Sequence, residues 1–299
     1  MIKNCIKQDY SNLQTFVINL ADYQKNYEKQ LPYLETLGLK VQRFNGINAL
    51  KDEHLNHEYK QYISKYAFDF TPKSIIGCAL SHTLCCKMIY DNYIKNSSNQ
   101  NEKMYFLIME DDAFPIYNNK DFYENLNKTV NDIEILDSKW ELIQLHSDAF
   151  YPTQDTYNTH FACGSTAAYL ISKFGIIKNL ESKILSHADF IHHNFIRFRK
   201  YRSKENLFYT DEKNSLNRNI NSIKNLSYYS LYFKSCFLEI INNYSNLLKL
   251  RGEKSYLNFL EFKLFKIPFF EREYTANEII DYLIAFILAR KFIKSIKLI

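Results

Sequence analysis

The chain has little glycine and proline, 6 and 5 residues among 299, while asparagine, lysine, isoleucine and tyrosine are abundant. This skew is typical of an AT-rich genome, so the net charge of +5 is weak evidence for a nucleic-acid partner. The sequence also lacks an arginine-rich arm, zinc-finger spacing and an RNP-like aromatic pattern. We therefore expect no nucleic-acid partner.

Long apolar runs are also missing. No run reaches the ~18–20 residues that a membrane-spanning helix needs, and residues 1–10 lack the apolar core of a signal peptide. The six cysteines form no C-x-x-C pair, which favours buried reduced thiols over a disulfide framework or a zinc site. These absences predict a cytoplasmic protein.

Hydrophobic residues make up 46% of the chain and aromatic residues 16%, which is enough for a sizeable core. The first elements are a β-branched strand at 15–20, a helix at 21–37 that Gly38 ends, and a strand at 41–45. This strand–helix–strand order predicts an α/β fold with a parallel sheet and helices on its faces. Further predicted elements are helices at 74–94, 119–135 and 173–184, and strands at 104–109, 140–146 (alternating) and 165–172.

Residues 104–109 are six consecutive apolar residues, and three carboxylates follow them directly: Glu110, Asp111 and Asp112. An unbroken apolar run predicts a strand buried on both faces. Because unpaired buried charges cost too much, the carboxylates must lie at the strand's carboxyl end, where open α/β sheets bind ligands. Such oxygen donors suit a divalent cation, which can hold a diphosphate. The alternative is a solvated acidic loop, or an N-cap for the helix that begins near Asn118.

Two segments with histidine are further candidates. His82 follows Ser81 on the predicted helix 74–94, and its spacing fits either a packing residue or a functional one. In the segment 186–193, the spacing of Asp189 with His192 and His193 suits a metal site if the segment is helical. A loop that is polar by chance is the alternative.

Four stretches occur in an order that a known family shares: FVINL at 16–20, GCALSH at 77–82, LIMEDDA at 107–113 and GSTAAYLIS at 164–172. With them the chain resembles the family 25 glycosyltransferases, which include bacterial lipooligosaccharide galactosyltransferases and collagen-modifying galactosyltransferases. The second and third stretches, about a helix and a strand apart, are the most specific pair. The resemblance covers roughly residues 14–220.

The resemblance implies a GT-A-like fold, a Rossmann-type mixed sheet flanked by helices, which binds a UDP-sugar beside Mn²⁺ or Mg²⁺. UDP-galactose is the expected donor. In that interpretation Asp112 ligates the ion directly, and Glu110 either ligates it or reaches the ribose or a metal-bound water. The other donor-binding positions implied are Asn19, Ser81, His82 and Asp111.

The resemblance also implies an inverting hexosyltransferase, which needs one base on the acceptor side. Asp189 matches an acidic position in the family's later half, so it is the expected base, and Asp148 is the reserve candidate. His192 and His193 are candidates for further metal ligands. A glycan such as lipooligosaccharide is the expected acceptor.

The chain departs from the family in two places. The family's arginine in the first helix is absent, and Lys25 or Lys29 would have to replace it without bidentate geometry. The region 211–215 only loosely resembles the family's downstream serine motif. These departures support an alternative: a catalytically silent homologue that serves as a carbohydrate-binding or membrane-surface assembly subunit. The intact acidic triplet argues against it.

Residues 225–299 carry 11 lysines and arginines against 7 acidic residues. We predict a catalytic domain at 1–224 and a helical basic extension at 225–299. Residues 276–299 contain no glycine or proline, and the pattern of their last turns places basic residues opposite apolar ones. This layout is typical of a helix lying on an anionic membrane, so we expect peripheral binding to the inner face of a membrane. The alternative is a helix that packs on the catalytic domain.

Overall fold

The computed structural model describes residues 13–51, 57–63, 68, 73–97, 103–146, 165–181, 183–184 and 199–211, with the backbone of 263–266 and 273–275. The chain divides into two compact units, residues 1–68 with 73–219, and residues 69–72 with 220–299. In the second unit, Lys263–Lys266 pairs antiparallel with Glu273–Thr275, which the sequence pattern did not predict. The predicted helix 276–299 lies outside the described residues, and the boundary at 224 stays a prediction.

The described part of the first unit contains eight strands. They are β1 (Gln14–Leu20), β2 (Lys40–Gly46), β3 (Tyr105–Glu110), β4 (Ala113–Pro115), β5 (Leu142–Gln144), β6 (Ala168–Ser172), β7 (Lys200–Arg202) and β8 (Phe208–Thr210). Six form one sheet in the order β2-β1-β3-β6-β5-β7, while β4 pairs antiparallel with β8. In the sheet, β1 is parallel to β2 and β3, and β6 is antiparallel to β3 and β5. The sheet is therefore mixed.

Helices flank this sheet. They are α1 (Gln24–Thr36), α2 (His57–Lys60), α3 (Lys73–Ile89), α4 (Asn119–Leu136) and α5 (Lys173–Leu180). A 3₁₀ turn precedes α1 at Ala21–Tyr23, and a π-helical turn continues α3 at Tyr90–Ile94. The structure confirms the predicted α/β class, a Rossmann-like mixed sheet with flanking helices.

The central strand β3 is buried on both faces, as its unbroken apolar run predicted. Leu107 and Met109 pack into a cluster with residues of α1 and α4. Phe106 and Ile108 pack into a second cluster with residues of α3 and α5. Alternate side chains of one strand thus join two apolar layers, and the strand's first polar position, Glu110, is also its last residue.

The boundaries of α1 and β5 show where local patterns succeed and fail. Gly38 adopts a positive φ of 71° after α1, so the predicted glycine stop is confirmed. The predicted strand 140–146 is wrong in its length and its alternation, because only Leu142–Gln144 is a strand and all of 140–146 is buried. Polar Glu141 lies inside because its carboxylate accepts hydrogen bonds from the Arg199 backbone N–H (2.8 Å) and from Lys178 Nζ (3.1 Å).

Two of the six cysteines, Cys85 and Cys86, are free and fully buried on α3. Burial raises the pKa of the Cys86 thiol to about 12. The prediction of buried reduced thiols is confirmed for this pair. Among the helices that the structure describes, none is both long and apolar enough to cross a membrane.

Gly77 on α3 tests how tightly this helix packs. A Cβ at this position would lie 2.7 Å from the Ile47 carbonyl oxygen and 3.1 Å from the Ala49 backbone nitrogen. Helix propensity alone predicts that Gly77→Ala stabilises the protein by up to ~1 kcal/mol, whereas the backbone clash predicts destabilisation of about 1–3 kcal/mol. We expect destabilisation, measured as the change in the urea unfolding midpoint. An unchanged or higher midpoint would contradict this close contact.

Candidate active site

The acidic triplet lies at the carboxyl end of β3, in the turn that leads into β4. Its backbone is held from two sides. The buried side chain of Gln30 on α1 donates to the Glu110 carbonyl oxygen (2.8 Å) and to the Ala113 carbonyl oxygen. On the other side, the Asp211 N–H donates to the Asp112 carbonyl oxygen at 2.9 Å. Hydrogen bonds from two other parts of the fold therefore hold the backbone of this turn, and the N-cap of α4 is Asn118 rather than the triplet.

Asp111 is bound by Asn19, the last buried residue of β1. Asn19 Nδ2 donates to Asp111 Oδ2 at 2.5 Å, and Asn19 Oδ1 accepts from Arg43 Nε at 2.8 Å. Burial raises the pKa of Asp111, and the Asn19 hydrogen bond opposes that rise. Asn19 thus links the triplet to a guanidinium from β2. The sequence indicated Asn19 only through the family resemblance, and nothing in the pattern identified Arg43.

Asp112 is the least compensated of the three carboxylates. Its Oδ1 atom is buried and has no hydrogen-bond partner among the described residues. Burial raises the pKa of Asp112 to about 7, and the charges of Glu110 and Asp111 add to the rise, while a hydrogen bond from its own backbone N–H and the charge of His146 oppose it. An acceptor that is buried without a donor is costly, so this position favours a bound cation.

Glu110 receives two hydrogen bonds on the same oxygen. Thr166 Oγ1 donates to Oε1, and His82 Nε2 lies 3.2 Å from Oε1. The other ring nitrogen of His82, Nδ1, lies 2.9 Å from the hydroxyl of Tyr169. His82 is 1% exposed, so it packs in the core and also contacts the candidate site. Neither Thr166 nor Tyr169 was a predicted site residue, although both lie in the stretch 164–172, which indicated a strand and carried part of the family resemblance.

Ser81 has a different environment from its neighbour. Its hydroxyl donates to the Gly77 carbonyl oxygen (2.7 Å) and accepts from the Ile47 N–H (2.8 Å). These bonds connect α3 to the loop after β2. A donor-binding role for Ser81 stays a prediction.

Lys29, one of the two proposed substitutes for the family's arginine, lies beside the acidic turn. Its Nζ atom pairs with Asp211 Oδ2 at 2.8 Å and lies 5.2 Å from the ring centroid of Phe114. The backbone N–H of the same Asp211 donates to the carbonyl oxygen of Asp112 in the acidic turn. Lys29 therefore brings a positive charge near the triplet, although its primary partner is Asp211.

Among the described residues, the group of three possible metal ligands whose ligand atoms converge is not the triplet: atoms of Cys78, His82 and Glu110 lie within 4.8 Å of one another. A thiol and an imidazole suit zinc, whereas carboxylates suit Mg²⁺ and Mn²⁺. Both ring nitrogens of His82 already have hydrogen-bond partners, Tyr169 and Glu110. The buried Asp112 oxygen of the triplet is a ligand atom of the type that a hard divalent cation takes.

The structure brings together five of the predicted site residues and leaves others untested. Asn19, His82, Glu110, Asp111 and Asp112 form one connected cluster. The predicted bases Asp189 and Asp148 and the predicted metal ligands His192 and His193 lie outside the described residues. His146, whose Nδ1 is 2.9 Å from the Phe208 carbonyl oxygen, is an additional residue near Asp112 that the sequence did not indicate.

Comparison with known proteins identifies the family of the chain. No curated protein matches the chain closely enough to count as a relative. The sequence profile of glycosyltransferase family 25 (LPS biosynthesis protein) matches residues 12–178, a span that includes β1, α3, the acidic turn and β6. Because this match covers more than half of the chain, the protein belongs to glycosyltransferase family 25.

Proposed function

We propose that this protein transfers a hexose, with galactose as the expected sugar, from a UDP-sugar to a glycan acceptor such as lipooligosaccharide, with inversion and with a divalent cation. The family match supports glycosyl transfer in LPS biosynthesis. The observation that carries the cation requirement is the buried Asp112 oxygen without a hydrogen-bond donor, next to two further carboxylates. A doubly charged ion is the ligand that such a set of oxygens favours.

Within the triplet, the roles follow from the contacts. Asp112 would hold the cation because its oxygen lacks a partner. Asp111 keeps its orientation through Asn19, and Glu110 keeps its orientation through Thr166 and His82. When bound, Mn²⁺ or Mg²⁺ supplies Lewis-acid stabilisation of the departing diphosphate.

The acceptor hydroxyl must also lose a proton. We assign this step to Asp189, with Asp148 as the second candidate, because inverting transfer needs one carboxylate base on the acceptor side. Transfer of the sugar to the acceptor oxygen then releases the nucleoside diphosphate without a covalent sugar–enzyme intermediate.

The direct test of the proposed function is a screen of nucleotide sugars for hydrolysis and transfer, with Mn²⁺ and with EDTA. We expect turnover of a UDP-hexose that falls roughly 10²-fold or more in EDTA. A silent homologue would bind a UDP-sugar or glycan without turnover. Turnover that is unchanged in EDTA would contradict the cation assignment but not glycosyl transfer.

Asp112→Asn tests whether Asp112 binds the cation, because its effect on stability can be measured with and without metal. Because the folded state raises the pKa of Asp112 to about 7, ionisation of this group costs stability as the pH rises through 4 to 7, and the cost is full above 7. Without metal at pH 8 we expect Asp112→Asn to raise the thermal unfolding midpoint by several degrees, and at pH 4 the difference should vanish. Added Mn²⁺ should stabilise only the unsubstituted protein.

The matched control is Glu124→Gln on α4, which also removes one carboxylate charge but from a side chain that is 67% exposed. It should leave the midpoint and its response to Mn²⁺ unchanged. If Asp112→Asn is less stable at pH 8 without metal, or gains as much from Mn²⁺ as the parent protein, Asp112 does not hold the ion.

Asp189→Ala tests the base. We expect kcat to fall ~10²–10⁴-fold while the UDP-sugar dissociation constant stays nearly constant, because a base acts only in the transition state. Asp148→Ala is the comparison. The residue whose substitution lowers kcat more is the base. Donor affinity that falls in step with kcat for Asp189→Ala would make Asp189 a donor or metal contact.

A further inference from the structure

We propose that Tyr169 is a positioning residue of the candidate site, which fixes the tautomer of His82 and through it the orientation of the Glu110 carboxylate. The inference rests on the proposed function only in assigning Glu110 to donor or cation binding. The contacts themselves are independent of that assignment.

The three side chains form a chain of contacts from the core to the acidic turn. Tyr169 lies on β6 directly opposite Ile108 of β3 and is fully buried. Its hydroxyl lies 2.9 Å from His82 Nδ1, and His82 Nε2 lies 3.2 Å from Glu110 Oε1. The His82 and Tyr169 rings are 5.7 Å apart between centroids. The only member with appreciable exposure is the Glu110 side chain, at 28%.

Chemistry decides which atom donates in each contact. The Glu110 carboxylate can only accept, so the hydrogen between it and His82 belongs to Nε2. In a neutral imidazole, which carries one N–H, Nδ1 then accepts, and the Tyr169 hydroxyl at 2.9 Å is placed to donate to it. Burial raises the pKa of Tyr169 well above its ordinary value, so the phenol keeps the proton that it donates.

The consequence falls on Glu110. Its Oε1 accepts from both His82 and Thr166, which arrive from α3 and from the residues before β6. Two donors on one oxygen restrict rotation of the carboxylate, which would otherwise turn away from the charges of Asp111 and Asp112. Outer hydrogen bonds of this type hold ligating groups in orientation, and their loss typically lowers metal affinity ~10–100-fold.

Removing the Tyr169 hydroxyl tests the inference. In Tyr169→Phe, His82 Nδ1 loses the Tyr169 hydroxyl, so the tautomer with the proton on Nδ1 becomes more competitive and turns an Nε2 lone pair toward Glu110. We expect the dissociation constant for Mn²⁺ to rise about 10-fold or more, by titration with Mn²⁺ alone. Tyr105→Phe is the matched control, since it also removes a hydroxyl bonded to a glutamate, Glu134 at 2.6 Å. It should leave Mn²⁺ affinity unchanged.

His82→Gln provides a background in which Tyr169 has no tautomer to set. The glutamine amide has N–H donors near the position of Nε2, and it keeps them whether or not the Tyr169 hydroxyl is present. Tyr169→Phe should therefore weaken Mn²⁺ binding in the parent protein and have no further effect in the His82→Gln protein. Equal losses in both backgrounds would show that Tyr169 only packs, and would overturn the proposal.

The tautomer is directly observable by ¹⁵N NMR of the histidine rings, with the His82 signals identified by their absence in His82→Gln. We expect a neutral His82 with its proton on Nε2 in the parent protein, and a mixture of tautomers in Tyr169→Phe. A proton on Nδ1, or a doubly protonated ring at neutral pH, in the parent protein would overturn the proposal even if Tyr169→Phe fails to fold. These readouts need no transferase activity, so failure of the proposed function would be seen separately in the nucleotide-sugar screen.

Discussion

Mutual repulsion among three consecutive carboxylates at the end of β3 is the constraint on which the site depends. The surroundings of the three carboxylates offset this repulsion to different degrees. Two hydrogen-bond donors hold Glu110, and Asn19 holds Asp111. Asp112 keeps a buried oxygen without a partner and a pKa raised to about 7. The surroundings thus compensate two of the three groups more than the third, and this difference is the basis of the proposed cation site at Asp112.

The mixed sheet explains why these partners meet. β1 and β3 are parallel, so their carboxyl ends coincide and Asn19 reaches Asp111. β6 is antiparallel to β3, so its beginning lies at the same edge and brings Thr166 and Tyr169 toward the triplet. Helix α3 crosses behind the sheet and adds His82. A fully parallel neighbour of β3 would place a strand's carboxyl end there instead.

Local patterns predicted the strands and helices that carry the site, but not the contacts between them. The position of the triplet followed from the cost of burying charge after an apolar strand. Tyr169 and His82 are 87 residues apart and meet only through the sheet order, which a single sequence does not reveal. The prediction for 140–146 was wrong for a related reason: hydrogen bonds from Arg199 and Lys178 satisfy the buried Glu141, so a polar residue there did not indicate an exposed face.

The central claim is that the acidic turn binds the divalent cation, and the most direct measurement is anomalous diffraction at the manganese edge from crystals grown with Mn²⁺ and UDP. The account predicts a peak within coordination distance of the Asp112 carboxylate, with UDP phosphate oxygens on its other side. A peak between Cys78 and His82 with none at Asp112, or bound UDP with no manganese peak at the turn, would contradict it.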